Sequence, residues 1–151
     1  MSGHSGTPLA SKLGIRAGAR LFLHAPPENY RQLLEPLPHS VTTVRRIDAQ
    51  TDLVHLFATR RAALAALLER ARAAMRDDAV IWASWPKRAA GVPTDITEDV
   101  VRELALPLGL VDIKVCAVDE TWSGLKLMLR RRERARPAAP RGARRRAPSR
   151  P

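Results

Sequence analysis

The sequence predicts an α/β fold: a Rossmann-like, methyltransferase-like three-layer sandwich on a mostly parallel sheet of about six strands, with a C-terminal antiparallel hairpin. Three observations predict it. Short aliphatic and β-branched runs alternate with helical patterns along the chain, as in parallel strands joined by helical crossovers. Residues 52–58 (DLVHLFA) are continuous enough in apolar character for a strand buried on both faces. The last two strand-like runs are separated by only about six residues, too few for a helical crossover, so they should pair antiparallel.

The elements follow in order. Residues 8–13 suit a short helix, with Pro8 in its first turn and Gly14 as its stop. Residues 20–25 form the first strand, ended by Pro26-Pro27. A helix over 28–34 places Tyr30, Leu33 and Leu34 on one face and is closed by Pro36 and Pro38. Residues 41–45 and 52–58 are the second and third strands. Thr59 is the expected cap of a helix reaching Met75, with Leu64, Leu67, Leu68, Ala71 and Met75 at helical spacing. Asp77-Asp78 is a turn, and 79–85 is the fourth strand. After a loop over 86–94, Asp95 and Glu98 have capping-box spacing for a helix to about Leu106, ended by Pro107 and Gly109. Residues 111–118 and 125–130 are the hairpin strands. In the connection between them, Gly124 is expected to serve a positive-φ turn.

A chain of 151 residues suits one domain, and 45% apolar residues can fill its core. The single cysteine excludes an internal disulfide and any cysteine-based zinc cluster, and it fits a cytoplasmic location. No apolar run approaches the roughly 18 residues that span a bilayer. The start of the chain has no apolar core of a signal peptide. The net charge of +11 is unevenly placed: residues 130–151 hold ten Arg and one Glu, which is +9, leaving +2 for the rest. The expected organisation is a disordered N-terminus (1–7), one Rossmann-like domain (8–130) and a disordered Arg/Ala/Pro-rich basic tail (131–151).

The strings WPK, GVPTDITEDVVRELAL and GLVDIKVCAVDETWSGLKL closely resemble a bacterial domain-of-unknown-function family of short proteins. Thr7-Pro8-Leu9 and Lys12-Leu13-Gly14-Ile15 resemble it too. The likeness covers roughly residues 5–131. It implies a Rossmann-like fold and carries over no catalytic residue.

Open parallel sheets bind ligands at the carboxyl ends of their strands. Two polar clusters fall at such ends, Trp85-Pro86-Lys87-Arg88 and Asp119-Glu120-Thr121-Trp122. Lys87 and Arg88 suit an anion, Asp119 and Glu120 a cation or hydroxyl, and Trp85 and Trp122 a planar ring. Thr94 and Asp95 sit at a helix start facing the same edge; capping is their favoured role and a place in the candidate crevice the alternative. The competing reading pairs Lys87 or Arg88 with Asp119 or Glu120 and packs both Trp rings at the end of the core. A methyltransferase cofactor loop is usually Gly-rich, whereas His24-Ala25-Pro26-Pro27-Glu28 has no glycine, and Asp48 alone stands near the ribose-binding position.

No catalytic residue, metal site or cofactor is expected. The four histidines lack metal-ligand spacing, Ser123 has no nucleophile elbow, and Cys116 reads as a small core residue. In the tail, Arg144, Arg145 and Arg146 suit weak polyanion or nucleic-acid contact, with no aromatic residue to stack on bases. The sequence therefore points to a non-catalytic module that binds an anionic small molecule or a partner. The alternatives are a divergent S-adenosylmethionine- or nucleotide-dependent transferase and a nucleic-acid-associated protein.

Overall fold

The computed structural model describes residues 7–134. It contains α1 (Leu9–Leu13), β1 (Arg20–His24), α2 (Tyr30–Leu33), β2 (Thr42–Val44), β3 (Leu53–Phe57), α3 (Arg61–Ala74), β4 (Val80–Pro86), α4 (Glu98–Ala105), β5 (Leu110–Ala117) and β6 (Trp122–Leu129). One six-stranded sheet has the order β2-β1-β3-β4-β6-β5. β2, β1, β3 and β4 are parallel, while β6 runs antiparallel to both β4 and β5. This is the fold class the sequence predicts. The chain moves from β1 outward to β2, then returns to place β3 on the other side of β1. The strand order therefore reverses between β1 and β3.

Alternation along β3 divides the core. Val54 and Leu56 face α3 and α4, packing with Leu64, Leu68, Ala71, Val101 and Ala105. Leu53 and Phe57 face the other layer, with Leu13, Tyr30 and Trp82. All five β3 residues are buried, and each large apolar side chain so placed contributes about 1.5–3 kcal/mol. The Trp82 indole N–H donates to the Leu13 carbonyl at 2.9 Å, which fastens α1 to the sheet. At the opposite end of the strands Arg76 is a clamp. Its guanidinium donates to Asp52 (2.9 Å), Asp78 (2.7 Å) and the Thr51 carbonyl (3.0 Å). Asp52 in turn accepts from the Arg20 backbone N–H at 2.8 Å, tying β1, β3 and the end of α3 together.

Three local expectations are corrected. The cap of α4 is Thr97, whose hydroxyl accepts from Val100 N–H at 3.2 Å, in place of the Asp95–Glu98 box. Asp95 instead accepts from Arg61 N–H at 2.6 Å, so it serves the first turn of α3 and Thr59 does not. Gly124 lies within β6 at no left-handed angle. A Cβ there would stand 3.2 Å from Trp82 Cε3 and 3.3 Å from both Ser84 Oγ and Val118 Cγ2, so close packing is what requires glycine.

The ordered fold also runs past residue 130, through a 3-10 turn (Arg131–Glu133), with Arg134 Nε donating to the Leu129 carbonyl at 3.0 Å. Residues 1–6 and the rest of the predicted tail, Arg144, Arg145 and Arg146 included, lie outside the described residues. Among the described residues no helix is long and apolar enough to cross a membrane.

Candidate functional site

The reversal of strand order opens the sheet edge between the carboxyl ends of β1 and β3, the place where open α/β sheets receive ligands. β1 ends at the exposed His24, and Ala25 follows with φ +53°, a left-handed conformation in a residue other than glycine. Pro26 and Pro27 come next. They border a pocket of about 250 Å³ that also touches Glu28, Tyr30, Arg31 and Thr43. β2 is followed by the exposed Arg45 and Arg46 and by Ile47, which packs against the core. Asp48 is turned into its own loop, its Oδ1 accepting from Gln50 N–H at 2.8 Å. On the other bank, Ala58 N–H donates to the Ser84 carbonyl at 3.1 Å.

A second concavity follows β4. It is a groove of about 590 Å³ lined by Trp85, Lys87, Arg88, Thr94, Thr97 and Ser123, among others. Its walls are fixed by backbone. Lys87 N–H donates to the Thr121 carbonyl at 2.7 Å, and the turn Arg88–Ala90 closes at Gly91 with φ +72°. The Thr94 hydroxyl donates to the Thr59 carbonyl (2.7 Å) and accepts from Ile96 N–H (3.0 Å), joining the loop to the end of β3. Among the described residues, the Lys87 and Arg88 side chains make no hydrogen bond or ion pair. Two cations on a groove with an apolar floor suit an anionic group.

The structure thus brings together Trp85, Lys87, Arg88 and Thr94, and it separates the other predicted site residues from them. Asp95 lies in a smaller cleft of about 240 Å³ with Arg60, Pro93 and Thr94. Asp119 is occupied in its own turn, Oδ1 accepting from the N–H groups of Thr121 (2.9 Å) and Trp122 (2.8 Å). Glu120 is exposed and lines none of these concavities. No Lys87 or Arg88 pair with Asp119 or Glu120 forms among the described residues. The tryptophans occupy opposite faces: Trp85 packs on the α3/α4 side, and Trp122 packs on the α1/α2 side, edge-on to Phe57 at 5.1 Å. A ring sandwiched between them is sterically impossible.

One polar chain escaped the sequence reading. Tyr30 Oη lies 2.7 Å from His55 Nδ1, and His55 Nε2 lies 2.8 Å from Ser84 Oγ. His55 also stacks on Phe57 at 4.2 Å. His55 and Ser84 are fully buried and Tyr30 nearly so. Burial pushes the His55 pKa down to about 3 and the Tyr30 phenol above its usual value. A neutral imidazole has one N–H, so the two bonds run in one sense through the ring. Ser84 is inaccessible to substrate, which makes this chain a satisfied core network and no catalytic triad. The only sequence signal was a histidine set in the apolar run VHLF. Burial likewise raises the Cys116 thiol pKa, in keeping with a packing role. Among the described residues no three His, Cys, Asp or Glu side chains gather as metal ligands.

No protein-family model matches the chain. No curated protein matches it. Solved structures do. A SAM-dependent methyltransferase from Aquifex aeolicus superposes with a TM-score of 0.59 at 12% identity, over 80% of this chain and 87% of that one. Aeropyrum pernix fibrillarin with natively bound S-adenosyl-L-methionine gives 0.53 at 12%, over 80% and 73%. Magnesium protoporphyrin IX methyltransferase from Synechocystis with bound SAM gives 0.52 at 8%, over 80% and 74%. Identities this low show a shared fold alone. Neighbours of this kind overturn the expectation of a non-catalytic binding or interaction module, and they favour the transferase alternative.

Proposed function

We propose that the chain is a divergent S-adenosylmethionine- or nucleotide-dependent transferase. Its cofactor lies at the switch point between β1 and β3, and its acceptor lies in the Trp85–Lys87–Arg88 groove. The observation that carries this reading is the turn after β1. Ala25 holds φ +53° at the position where a nucleotide-binding loop uses glycine for its tight turn. A left-handed alanine costs about 1 kcal/mol or more, and such strain collects at functional sites. The loop carries alanine in a conformation usually taken by glycine.

The fit to S-adenosylmethionine itself is incomplete. The acidic residue that would hold ribose hydroxyls after β2 is replaced by Arg45 and Arg46, and Asp48 is spent in its own turn. Pro26 and Pro27 remove two backbone donors next to the turn. What this chain's own residues supply is positioning: Lys87 and Arg88 would hold an acceptor's anionic group, with Trp85 as an apolar floor. Isothermal titration of the full chain with S-adenosylmethionine, S-adenosylhomocysteine and adenine nucleotides tests the reading. Saturable one-to-one binding of any of them is expected. Absence of binding by all of them at about 1 mM, the weak end of useful affinity, would remove it.

A further inference from the structure

We infer that the α1 side of the β5–β6 hairpin binds the oligophosphate group of a small molecule through Lys12, Arg16, Lys114 and Lys126. Strand register builds this site. Lys114 of β5 is the direct partner of Lys126 in β6, and Lys126 is in turn the direct partner of Trp82 in β4. Facing residues of neighbouring strands share a face, so both lysines stand on the Trp82 side of the sheet. The Trp82 indole N–H holds the carbonyl of Leu13, the last residue of α1. That bond sets Lys12 and Arg16, which flank Leu13 in the chain, beside the hairpin. Arg16 acts electrostatically on Lys126, and Lys12 acts on Cys116, the next residue but one after Lys114 along β5.

Like charges directly opposite each other in a ladder repel and weaken it. Here nothing local relieves them. Lys126 is half-buried, and its pKa is lowered by burial and then by Lys114 and Arg16. Among the described residues none of the four cations forms an ion pair. Cations that act on one another across a single spot are neutralised together by one multiply charged group, whereas a monoanion leaves most of the repulsion in place. Lysine ammonium groups are compact point charges suited to phosphate oxygens, and Arg16 adds a guanidinium fork. Lys114 and Arg16 are exposed, so a ligand can reach them from solvent. This face is separate from the Trp85 groove. Ser123 of that groove is the direct partner of Trp85, on the α3/α4 side of the sheet. The inference therefore stands apart from the proposed transferase reading.

The test is calorimetry on the full chain at about 150 mM salt, where long-range attraction is screened. The probes are pyrophosphate, inorganic phosphate, acetate and a DNA duplex of about 20 base pairs, long enough for several phosphate contacts. The proteins are the parent, Lys114→Gln/Lys126→Gln, and a charge-matched control on exposed sites elsewhere, Arg70→Gln/Arg132→Gln. Pyrophosphate should bind one-to-one, about tenfold or more tightly than inorganic phosphate or acetate, and the Lys114/Lys126 variant alone should lose that preference. Cys116, the only cysteine of the chain, reports on the same spot. Burial raises its thiol pKa, and Lys12 and Lys114 hold the rise back. An anion that cancels those charges lowers the thiolate fraction, so pyrophosphate should slow alkylation by the uncharged reagent iodoacetamide about threefold or more at constant ionic strength. The variant should show no such slowing. Pyrophosphate binding that survives in the Lys114/Lys126 variant and leaves Cys116 reactivity untouched lies elsewhere on the chain and overturns the inference. Equal losses in variant and control, or acetate binding as tightly as pyrophosphate, reduce the effect to unspecific charge and overturn it too. A duplex that binds where pyrophosphate does not, or no binding of pyrophosphate at about 1 mM, also overturns it.

Discussion

Acidification from about pH 7.5 to about pH 5 is expected to destabilise the domain through His55. The buried imidazole stays neutral in the fold, its pKa lowered from 6.5 to about 3 by burial, and its two nitrogens are committed to Tyr30 and Ser84. In the unfolded chain it protonates with the ordinary value. The unfolded state therefore binds more protons between those two pH values. Stability is fully present above about pH 6.5 and is lost as the pH falls toward 3. At pH 5, 1.5 units below the unfolded value, the loss is about 2 kcal/mol at 1.36 kcal/mol per unit. Urea unfolding followed by tryptophan fluorescence at several pH values between 7.5 and 5 measures it. His55→Gln keeps a donor and an acceptor but cannot titrate in this range. It should be less stable at pH 7.5, having lost the ring stacked on Phe57. Its stability should fall between pH 7.5 and 5 by about 2 kcal/mol less than the parent's. Every other histidine is the same in both proteins, so the comparison isolates His55. An equal pH dependence in parent and variant would refute the assignment, because His55 would then take up its proton while folded.

Further outcomes follow from the packing and the caps. Gly124→Ala should cost about 1–3 kcal/mol in the same urea assay, since its new methyl meets Trp82, Ser84 and Val118 at 3.2–3.3 Å. Thr97→Ala should cost about 1 kcal/mol and loosen the first turn of α4, read by amide exchange at Val100. Ala25→Gly should be nearly neutral because relief of the left-handed strain offsets the flexibility gained on unfolding. The same change at Ala66, exposed in α3, should cost about 1 kcal/mol. Equal costs at the two positions would show that Ala25 carries no strain.

The fold was legible because burial writes itself into neighbouring residues. The run DLVHLFA announced a strand covered on both faces, and each of its residues from Leu53 to Phe57 is buried. The 3.6-residue spacing of Leu64, Leu68, Ala71 and Met75 announced the core face of α3 in the same way. Capping was less legible because hydrogen-bond partners need not be near in sequence. Asp95 has the right spacing to serve its own helix, yet it serves Arg61, 34 positions away, while Thr97 takes the cap that Asp95 leaves. Gly124 looked like a turn residue because the contacts that exclude a side chain there come from β4 and from the end of β5.

The candidate site was legible only in part for a related reason: strand register. Trp85 pairs with Ser123 and Pro86 with Trp122. Facing residues of neighbouring strands share a face, and successive residues alternate. One step of register thus puts Trp85 and Trp122 on opposite sides of the sheet, and no composition of the two clusters reveals that step. The same limit hid the switch point. The reversal of strand order appears only when β3 is placed across β1 from β2. The glycine-poor loop argued against a cofactor because glycine was taken as the signature of the turn. Ala25 nevertheless holds φ +53°, a left-handed conformation usually left to glycine, which the residue type alone does not announce.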